Sequence, residues 1–194
     1  MILVLASANP HKADEIRAIM AEALPGVELR PRPPEVGEVD ETGATLEENA
    51  RLKAATLAAA TGLPALADDT GLEVVALRGA PGVWSARYAG EHATYKENVA
   101  KLLGSLVGVS DRRARFRTVA MVRWPDGREV SAEGVVDGRI AEAARGSAGF
   151  GYDPVFIADG ARGRTFAELG QAKHAVSHRG RALRALAEKL AAEG

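Results

Sequence analysis

Residues 1–6, MILVLA, form an unbroken apolar run. A strand with one face in water alternates apolar and polar residues, whereas a strand covered on both faces does not. The run therefore predicts a central strand with other elements packed on both faces of its sheet. Helical spacing of apolar residues follows at 16–24, and a hairpin pattern with the turn PDG spans 114–136. This mixture predicts an α/β fold with a mixed β-sheet.

Capping and stop signals predict where the helices begin and end. The segments at 45–48 (TLEE) and 94–97 (TYKE) have the spacing of a capping box, which opens a helix. The Pro-Gly pair at 25–26 and Gly62 are expected to end the first two helices. The remaining predicted elements are strands at 64–67 and 155–158, a short helix at 165–168, and a last helix that starts near Ser177 and carries Leu183, Leu186 and Leu190 on one stripe.

Composition excludes several classes of protein. The 194 residues suffice for one substantial domain or two small lobes. There is no cysteine, which excludes a disulfide framework and thiolate chemistry and fits a cytoplasmic protein. The net charge of -1 argues against binding to long polyanions. No segment has the length of a membrane span, and the N-terminal run lacks the basic region of a signal peptide.

Two adjacent carboxylates, Asp68 and Asp69 in the segment DDTG, follow the predicted strand at 64–67. Adjacent negative charges repel, and burying them costs free energy unless positive charge lies nearby. Mg²⁺ takes oxygen ligands, often one or two carboxylates, so DDTG predicts either a magnesium site or a solvated turn. Asp40 and Glu41 form a second acidic pair, which either completes the environment of the ion or is solvated.

The segment SANPHK, at 7–12, follows the first predicted strand and begins a helix. Ser7 and Asn9 offer hydrogen-bonding side chains, and Lys12 adds a positive charge where backbone amides already favour an anion. The alternative is an Asx-turn at Asn9 with a solvated lysine. The glycine spacing of a P-loop is missing.

The segment KHAVSHRG collects cations at the start of the last helix. His174 and His178 are four residues apart, a spacing that zinc ligands on a helix use, but the usual glutamate between them is missing and Ser177 has the character of an N-cap. Cations at a helix N-terminus are unfavourable, so an anionic ligand is the better explanation for Lys173 and Arg179.

A glycine-rich loop, GFGYDP, spans 149–154. Phe150 or Tyr152 is suited to stacking on a base, and Asp153 can accept hydrogen bonds from a base edge or from loop amides. The alternative is a tight turn with core aromatic residues.

Taken together, these segments resemble the inosine triphosphate pyrophosphatase family over essentially the whole chain. The resemblance rests on SANPHK, DETGATLEENARLKA, ALADDTGLEV, GAPGVWSARYAG, GFGYDPVF and AKHAVSHRGRAL, in that order. It implies a single domain, 1–194, with a long mixed β-sheet and two α/β lobes flanking a central active-site cleft. It also implies a homodimeric, Mg²⁺-dependent enzyme that hydrolyses ITP, dITP and XTP to the monophosphate and pyrophosphate.

The resemblance also implies roles for individual residues. Asp69 is the expected catalytic residue, and the expected metal ligands are Asp68, Asp69 and either Asp40 or Glu41. Ser7 replaces a threonine that is more usual in the family, and Thr70 replaces a frequent serine. Ala8 replaces a common glycine. The expected substrate-binding residues are Ser7, Ala8, Asn9, Pro10, His11, Lys12, Thr70, Phe150, Gly151, Tyr152, Asp153, Lys173, His178 and Arg179.

The implied mechanism has Asp69 orient or deprotonate the attacking water while Lys12 stabilises the leaving pyrophosphate. His178 and Arg179 are expected to donate to the 6-oxo group of the base, on the far side of the cleft from Asp69. Two other interpretations remain open. One is a pyrophosphatase of the related class that acts on modified pyrimidine nucleotides, against which SHRG and FGYDP speak. The other is a nucleotide-binding regulator without catalysis.

Overall fold

The computed structural model describes residues 1–192, and strands in this part of the chain form one mixed sheet. The sheet order is β2-β1-β3-β5-β6-β7, with β4 paired to β3. β1 runs parallel to β2 and β3, whereas the β3–β4 and β6–β7 pairs are antiparallel. The predicted α/β class with a mixed sheet is confirmed. The strands are β1 Ile2–Leu5, β2 Glu28–Arg30, β3 Ala65–Val74, β4 Pro81–Gly82, β5 Arg113–Arg123, β6 Glu129–Ile140 and β7 Phe156–Ala158.

Local caps set the starts of the helices. Thr45, Thr94 and Thr165 each open a helix through a reciprocal capping box, as their spacing to a following glutamate predicted. Asn9 caps the first helix, and the left-handed Gly62 ends the second. No helix among residues 1–192 is long and apolar enough to cross a membrane. The helices are α1 Pro10–Ala23, α2 Leu46–Thr61, α3 Tyr95–Ser105, α4 Phe166–Leu169 and α5 His178–Ala192.

The strand predicted at 64–67 was too short. The strand expected to stop before the aspartates continues through them as β3, Ala65–Val74, so Asp68 and Asp69 lie inside a strand and not in a turn. They are tolerated there because cations from neighbouring helices lie within contact distance. The three-residue strand β2 was missed, because proline and charge follow it directly and hide its pattern.

The chain forms two compact units. Unit 1 contains Met1–Asp69, Thr118–Gly134 and residues 178–192, and unit 2 contains Thr70–Arg117 and Val135–Ser177. In unit 1 the alternate residues of β1 enter two different cores, as the unbroken apolar run predicted. One core is built on Leu3 and Leu5 with α1 and α5, and the other is built on Val4 with α2.

The core of unit 2 is aromatic. Phe116, Phe156 and Phe166 are buried together. The ring centroid of Phe156 lies 4.7 Å from that of Phe116 and 5.0 Å from that of Phe166. Leu102 of α3 and Leu106, which directly follows this helix, pack into the same cluster. Tilted and edge-to-face ring pairs of this kind add stability beyond the area that they bury.

Gly134 in β6 allows the backbone of α5 to pack directly against the strand. A Cβ atom on Gly134 would lie 2.1 Å from the carbonyl oxygen of His178 and 2.4 Å from the backbone nitrogen of Ala182. Gly134→Ala must therefore push α5 away from β6, and we expect it to lower the free energy of unfolding by roughly 1–3 kcal/mol. Urea titration followed by circular dichroism measures the change.

Gly104 in α3 provides the matched control for this prediction. A Cβ atom there has no heavy atom within 4 Å, so Gly104→Ala should stabilise the protein by roughly 0.5–1 kcal/mol through helix propensity. If both substitutions stabilise the protein equally, the close contact between β6 and α5 does not exist in solution.

Candidate active site

A cluster of charged side chains, called the charged cluster below, surrounds the two aspartates of β3 in unit 1. Three cations and four carboxylates take part, and they come from α1, α2, α5, β3 and the loop before α2. All of them are buried or half-buried. The charged cluster consists of Lys12, Glu15, Glu41, Lys53, Asp68, Asp69 and Arg179.

The two aspartates escape mutual repulsion because successive side chains of a strand point to opposite faces of the sheet. Leu66 packs with α1 and α5, whereas Ala65 and Ala67 pack with α2. By the same alternation Asp68 faces α1 and α5, and Asp69 faces α2. Each carboxylate therefore meets its own set of cations. Although Asp68 and Asp69 are neighbours in the sequence, their carboxylates lie on opposite faces of the sheet.

Asp68 is held in its ionised form. Its side chain is buried, and its Oδ2 accepts from Nε of Arg179 at 3.1 Å and lies 3.6 Å from Nζ of Lys12. Burial by itself raises the pKa of Asp68, but the charges of Lys12, Arg179 and Lys53 outweigh burial and hold the pKa below its usual range. Arg179 also donates to Glu15 of α1, so one guanidinium ties two buried carboxylates together.

Asp69 is in the opposite situation. Nζ of Lys53 donates to its Oδ1 at 2.8 Å, and the Asn49 side chain donates to its Oδ2 at 3.3 Å. Burial raises the pKa of Asp69, and the nearby Glu41 raises it further, although Lys53 and Lys12 act against both. The environments of Asp68 and Asp69 thus push their pKa values apart, which is the pattern of a proton acceptor beside a permanent charge.

The structure distinguishes between the two acidic residues that the sequence left open. Oε1 of Glu41 accepts from Nζ of Lys53 at 2.9 Å, so Glu41 belongs to the charged cluster, whereas Asp40 is exposed. The ammonium of Lys53 lies between the carboxylates of Glu41 and Asp69. Burial lowers the pKa of Lys53, but Asp69, Glu41 and Asp68 raise it more strongly and keep the ammonium charged.

Sequence reasoning missed three members of this arrangement: Glu15, Asn49 and Lys53. The available signal was periodicity, because Asn49 and Lys53 occupy the buried stripe of α2 that also contains Leu46, Ala50 and Leu57. A polar residue on an apolar stripe requires a buried partner. Asn49 meets this need twice, since its Oδ1 accepts from the backbone of Gly43 at 2.8 Å while its amide donates to Asp69.

The segment 7–12 consists of a loop at 7–9 and the first three residues of α1, and its residues are exposed or half-buried. Oδ1 of Asn9 accepts from the backbone N–H groups of His11, at 3.0 Å, and Lys12, at 3.3 Å, and Oγ of Ser7 accepts from the backbone of Asn9 at 3.2 Å. The Asx-turn alternative is therefore correct for Asn9. Lys12 is not simply solvated, because only 20% of its side chain is exposed and it points towards Asp68; burial lowers its pKa more than Asp68 raises it.

A second polar group lies in unit 2, at the glycine-rich loop. Asp153 is buried, and its Oδ2 accepts from Nζ of Lys173 at 2.6 Å and from the backbone of Phe150 at 3.0 Å. A Cβ atom on Gly149 would lie 2.0 Å from the same oxygen, so only glycine fits there. The ammonium of Lys173 lies 5.1 Å from the ring centroid of Phe150, within cation–π range.

Aromatic residues of unit 2 differ in how they are held. The Tyr152 hydroxyl donates to the carbonyl of Ser85 at 2.9 Å, and burial raises the pKa of this buried side chain, so Tyr152 is a core residue. Phe150 is half-exposed, and its ring centroid lies 5.9 Å from that of Tyr95. Tyr95, which is 39% exposed, was not expected at this position. Gly151 is left-handed, with φ of 61°, and follows the half-exposed Phe150.

The KHAVSHRG segment is divided between the units. Lys173 belongs to unit 2 with Asp153, whereas His178 and Arg179 belong to unit 1. Arg179 was expected on the far side of a cleft from Asp69; its guanidinium contacts Asp68, the residue before Asp69, within unit 1. The zinc spacing is not realised on one helix, because His174 lies in a 3-10 turn at Gly170–Ala175 and His178 is the first residue of α5.

Residues 1–192 offer few grouped metal ligands. Within this range no three or more histidine, aspartate or glutamate side chains are grouped so as to hold a metal ion. An ion bound at the charged cluster would therefore rest on one or two carboxylates, which is the usual arrangement for Mg²⁺ with phosphate and water as its other ligands.

Comparison with known proteins identifies the family. A model of the Ham1 family matches residues 3–189. The chain belongs to the Ham1 family. Its curated relatives in this family include the dITP/XTP pyrophosphatase of Streptomyces coelicolor, 47% identical with 95% of this chain and 94% of the relative covered, and that of Thermus thermophilus, 49% identical with 97% and 91% covered.

Solved structures of the Ham1 family show the same fold. A HAM1 protein from Coxiella burnetii is 42% identical, with a TM-score of 0.89 and 98% of each chain covered. The Ham1 protein of Staphylococcus aureus is 38% identical, with a TM-score of 0.87 and the full length of both chains covered.

Arg179 is expected to stabilise the Ham1 fold through its two buried carboxylates. Arg179→Met keeps most of the side-chain volume but leaves Asp68 and Glu15 without their shared partner. Breaking a buried ion pair from one side costs roughly 3–5 kcal/mol, and urea unfolding at neutral pH should show a loss of this size.

Arg113 is the matched control. It is also an arginine paired with an aspartate, Asp111, but the side chain of Arg113 is 75% exposed. Arg113→Met should leave the urea midpoint almost unchanged. An equally small effect for Arg179→Met would show that Asp68 and Glu15 do not depend on the guanidinium.

Proposed function

We propose that this Ham1-family protein is a dITP/XTP pyrophosphatase that hydrolyses the deaminated purine nucleotides ITP, dITP and XTP to the monophosphate and pyrophosphate. Such an activity removes damaged nucleotides from the precursor pool. The relatives that carry this name are matched over nearly their whole length. The observation that carries the proposal is the buried pair Asp68 and Asp69 of β3, of which Asp68 is bonded to Arg179 and Asp69 to Lys53 and Asn49. The cations hold the pKa of Asp68 low, whereas burial and Glu41 raise the pKa of Asp69.

The chemistry begins at Asp69. Its carboxylate accepts a proton from water as the water oxygen attacks the α-phosphorus, and the bond from that phosphorus to the bridging oxygen of the pyrophosphate breaks. Lys53 and Asn49 hold both oxygens of Asp69, which fixes the direction in which the carboxylate accepts the proton. Asp68 stays ionised on the opposite face of β3 and keeps Lys12 and Arg179 in place.

The triphosphate binds at the N-terminus of α1 in this proposal. Segment 7–12, with Ser7, Ala8, Asn9, Pro10, His11 and Lys12, supplies a helix N-terminus that favours anions and one ammonium group. Lys12 is suited to stabilise the charge that develops on the leaving pyrophosphate. Its contact with Asp68 keeps it in position before the substrate arrives.

Mg²⁺ fits the donor set of the charged cluster. The oxygens of Glu41 and Asp69 already gather around a cation, the ammonium of Lys53. These two residues would hold the ion, whereas Asp40 is exposed and Asp68 is engaged by Arg179 on the other face of the strand. Bound there, Mg²⁺ would polarise phosphoryl oxygens and offset the charge of the triphosphate.

Base recognition is assigned to two groups of residues. In unit 2, Phe150 stacks on the purine while the Asp153–Lys173 pair offers an acceptor and a donor, and Gly151 and Tyr152 maintain the loop. In unit 1, His178 is assigned to the 6-oxo group, which adenine lacks, whereas Arg179 is held by Asp68 and Glu15. Thr70, next to Asp69 in β3, is assigned to substrate binding on the family resemblance alone.

The remaining expectations are a homodimer, a single working domain and a cytoplasmic location. The family resemblance supports the first two, and the absence of cysteine fits the third. Light scattering coupled to gel filtration measures the mass in solution, and a monomer of 20.3 kDa would contradict the dimer.

The proposed function is tested with a panel of triphosphates in the presence of Mg²⁺. ITP, dITP and XTP should yield monophosphate and pyrophosphate, whereas ATP, GTP and modified pyrimidine triphosphates should react far more slowly. Asp69→Asn should lower kcat by roughly 10²–10⁴ while the nucleotide still binds, because a general base is lost. Asp40→Asn is the matched control and should keep most of the activity. Release of orthophosphate, or binding without turnover, would overturn the proposal.

Lys53 is expected to control the pH dependence of the reaction. Asp69 acts as its carboxylate, so kcat/KM should fall as the pH drops through its pKa, which burial and Glu41 raise above the ordinary value of 3.8. Lys53→Met removes a cation that lowers this pKa, and the acid limb of the kcat/KM profile should then move to higher pH. A limb that stays in place, or moves to lower pH, would show that Asp69 is not the group that titrates.

A further inference from the structure

The side chain of His178 is held at one nitrogen by a buried hydroxyl group. Oγ1 of Thr118 in β5 lies 2.6 Å from Nδ1 of His178, the first residue of α5, and both residues are buried within unit 1. The backbone of His178 is fixed as well, because its carbonyl oxygen lies against Gly134 of β6 so closely that a Cβ atom would come within 2.1 Å. The backbone at the start of α5 and one nitrogen of the imidazole are therefore both in close contact with neighbouring strands.

The tautomer of His178 decides which partner donates in this contact. Because Nδ1 is engaged by Thr118, a hydrogen bond from His178 to the 6-oxo group, as proposed above, is donated by Nε2. The Thr118 hydroxyl is then the donor to Nδ1. A neutral imidazole that accepts at Nδ1 carries its hydrogen at Nε2.

We infer that Thr118 is a positioning residue that fixes His178 as the Nε2–H tautomer, so that His178 donates to the 6-oxo group of the base and rejects a 6-amino group. The inference rests on the proposed function and adds to it a residue outside the proposed substrate contacts. A 6-oxo group accepts the Nε2–H hydrogen bond. The 6-amino group of adenine is itself a donor, and two donors that face each other lose the hydrogen bond and oppose each other.

The inference separates adenine from guanine. Guanine also has a 6-oxo group, so a donor at Nε2 of His178 cannot distinguish GTP from ITP, and its rejection must come from the 2-amino group at another contact. Thr118 should therefore affect the preference for ITP over ATP without affecting the preference for ITP over GTP. A hydroxyl group with only a structural role would change the three substrates together.

The kinetic test uses Thr118→Val, which has nearly the same shape but no hydroxyl, and Thr118→Ser, which keeps the hydroxyl. Loss of one hydrogen bond is worth about 0.5–1.5 kcal/mol, so in Thr118→Val the ITP-to-ATP ratio of kcat/KM should fall roughly 2- to 12-fold. The ITP-to-GTP ratio should stay constant, and Thr118→Ser should restore the ITP-to-ATP ratio. Thr56→Val is the matched control, because the Thr56 hydroxyl bonds only to the backbone of its own helix, at Leu52.

The tautomer is measured directly, without reference to activity. The protein has four histidines, and a variant with H11Q, H92Q and H174Q leaves His178 as the only one. A long-range ¹H–¹⁵N correlation spectrum of this variant should show hydrogen on Nε2 and none on Nδ1. Adding Thr118→Val should produce a mixture of tautomers, and adding Thr118→Ser should keep the single form.

The outcomes separate this inference from the proposed function. Hydrogen on Nδ1 of His178, or equal loss for ITP, GTP and ATP in Thr118→Val, overturns the role of Thr118 while the pyrophosphatase activity stands. If Thr118→Val does not fold, the spectrum of the single-histidine variant and the Thr118→Ser kinetics still decide. A wild-type protein with the Nε2–H tautomer but no preference for ITP over ATP overturns the proposed function and, with it, the selectivity assigned to His178.

Discussion

The burial of Asp68 and Asp69 next to each other in β3 is the constraint on which the rest of unit 1 depends. Neither charge is tolerated in the interior without cations, and each faces a different side of the sheet. The positive charge must therefore arrive from helices on both sides: Lys12 and Arg179 from one layer, Lys53 from the other. The same three helices supply the apolar cores, so packing and charge compensation require one arrangement of α1, α2 and α5.

This arrangement gives two identical side chains different chemistry. The charges of Lys12, Arg179 and Lys53 lower the pKa of Asp68, which stays ionised. Asp69 shares Lys53 with Glu41 and has the higher pKa. A single lysine between two carboxylates also keeps the site ordered before any ligand binds. Charged groups that are already in place stabilise a transition state, because they need not rearrange when its charge develops.

The sequence was most informative where the signal was local. The unbroken run at 1–6 predicted two-sided burial, and threonine–glutamate spacings predicted the starts of α2, α3 and α4 to the residue. It was least informative where partners are distant in the chain. The extension of β3 through its aspartates depends on cations 56 and 111 positions away, at Lys12 and Arg179, and the choice of Glu41 over Asp40 depends on Lys53. Asn49 and Lys53 were accessible in principle, since they interrupt an apolar helical stripe.

The reciprocal cap of α2 also bears on how the sheet assembles. β1 pairs in parallel with β3, so Val4 must find Ala65 across a long stretch of chain. Closing so long a loop is entropically costly and slows folding. Helix α2 occupies 16 residues of that stretch. The backbone N–H groups at its start are bonded by the side chains of Thr45 and Glu48, which lie in the same stretch of chain. A helix that forms from local contacts removes those residues from the flexible loop before the strands meet, so the nucleation of α2 lowers the entropic barrier to pairing β1 with the strand that carries the aspartates.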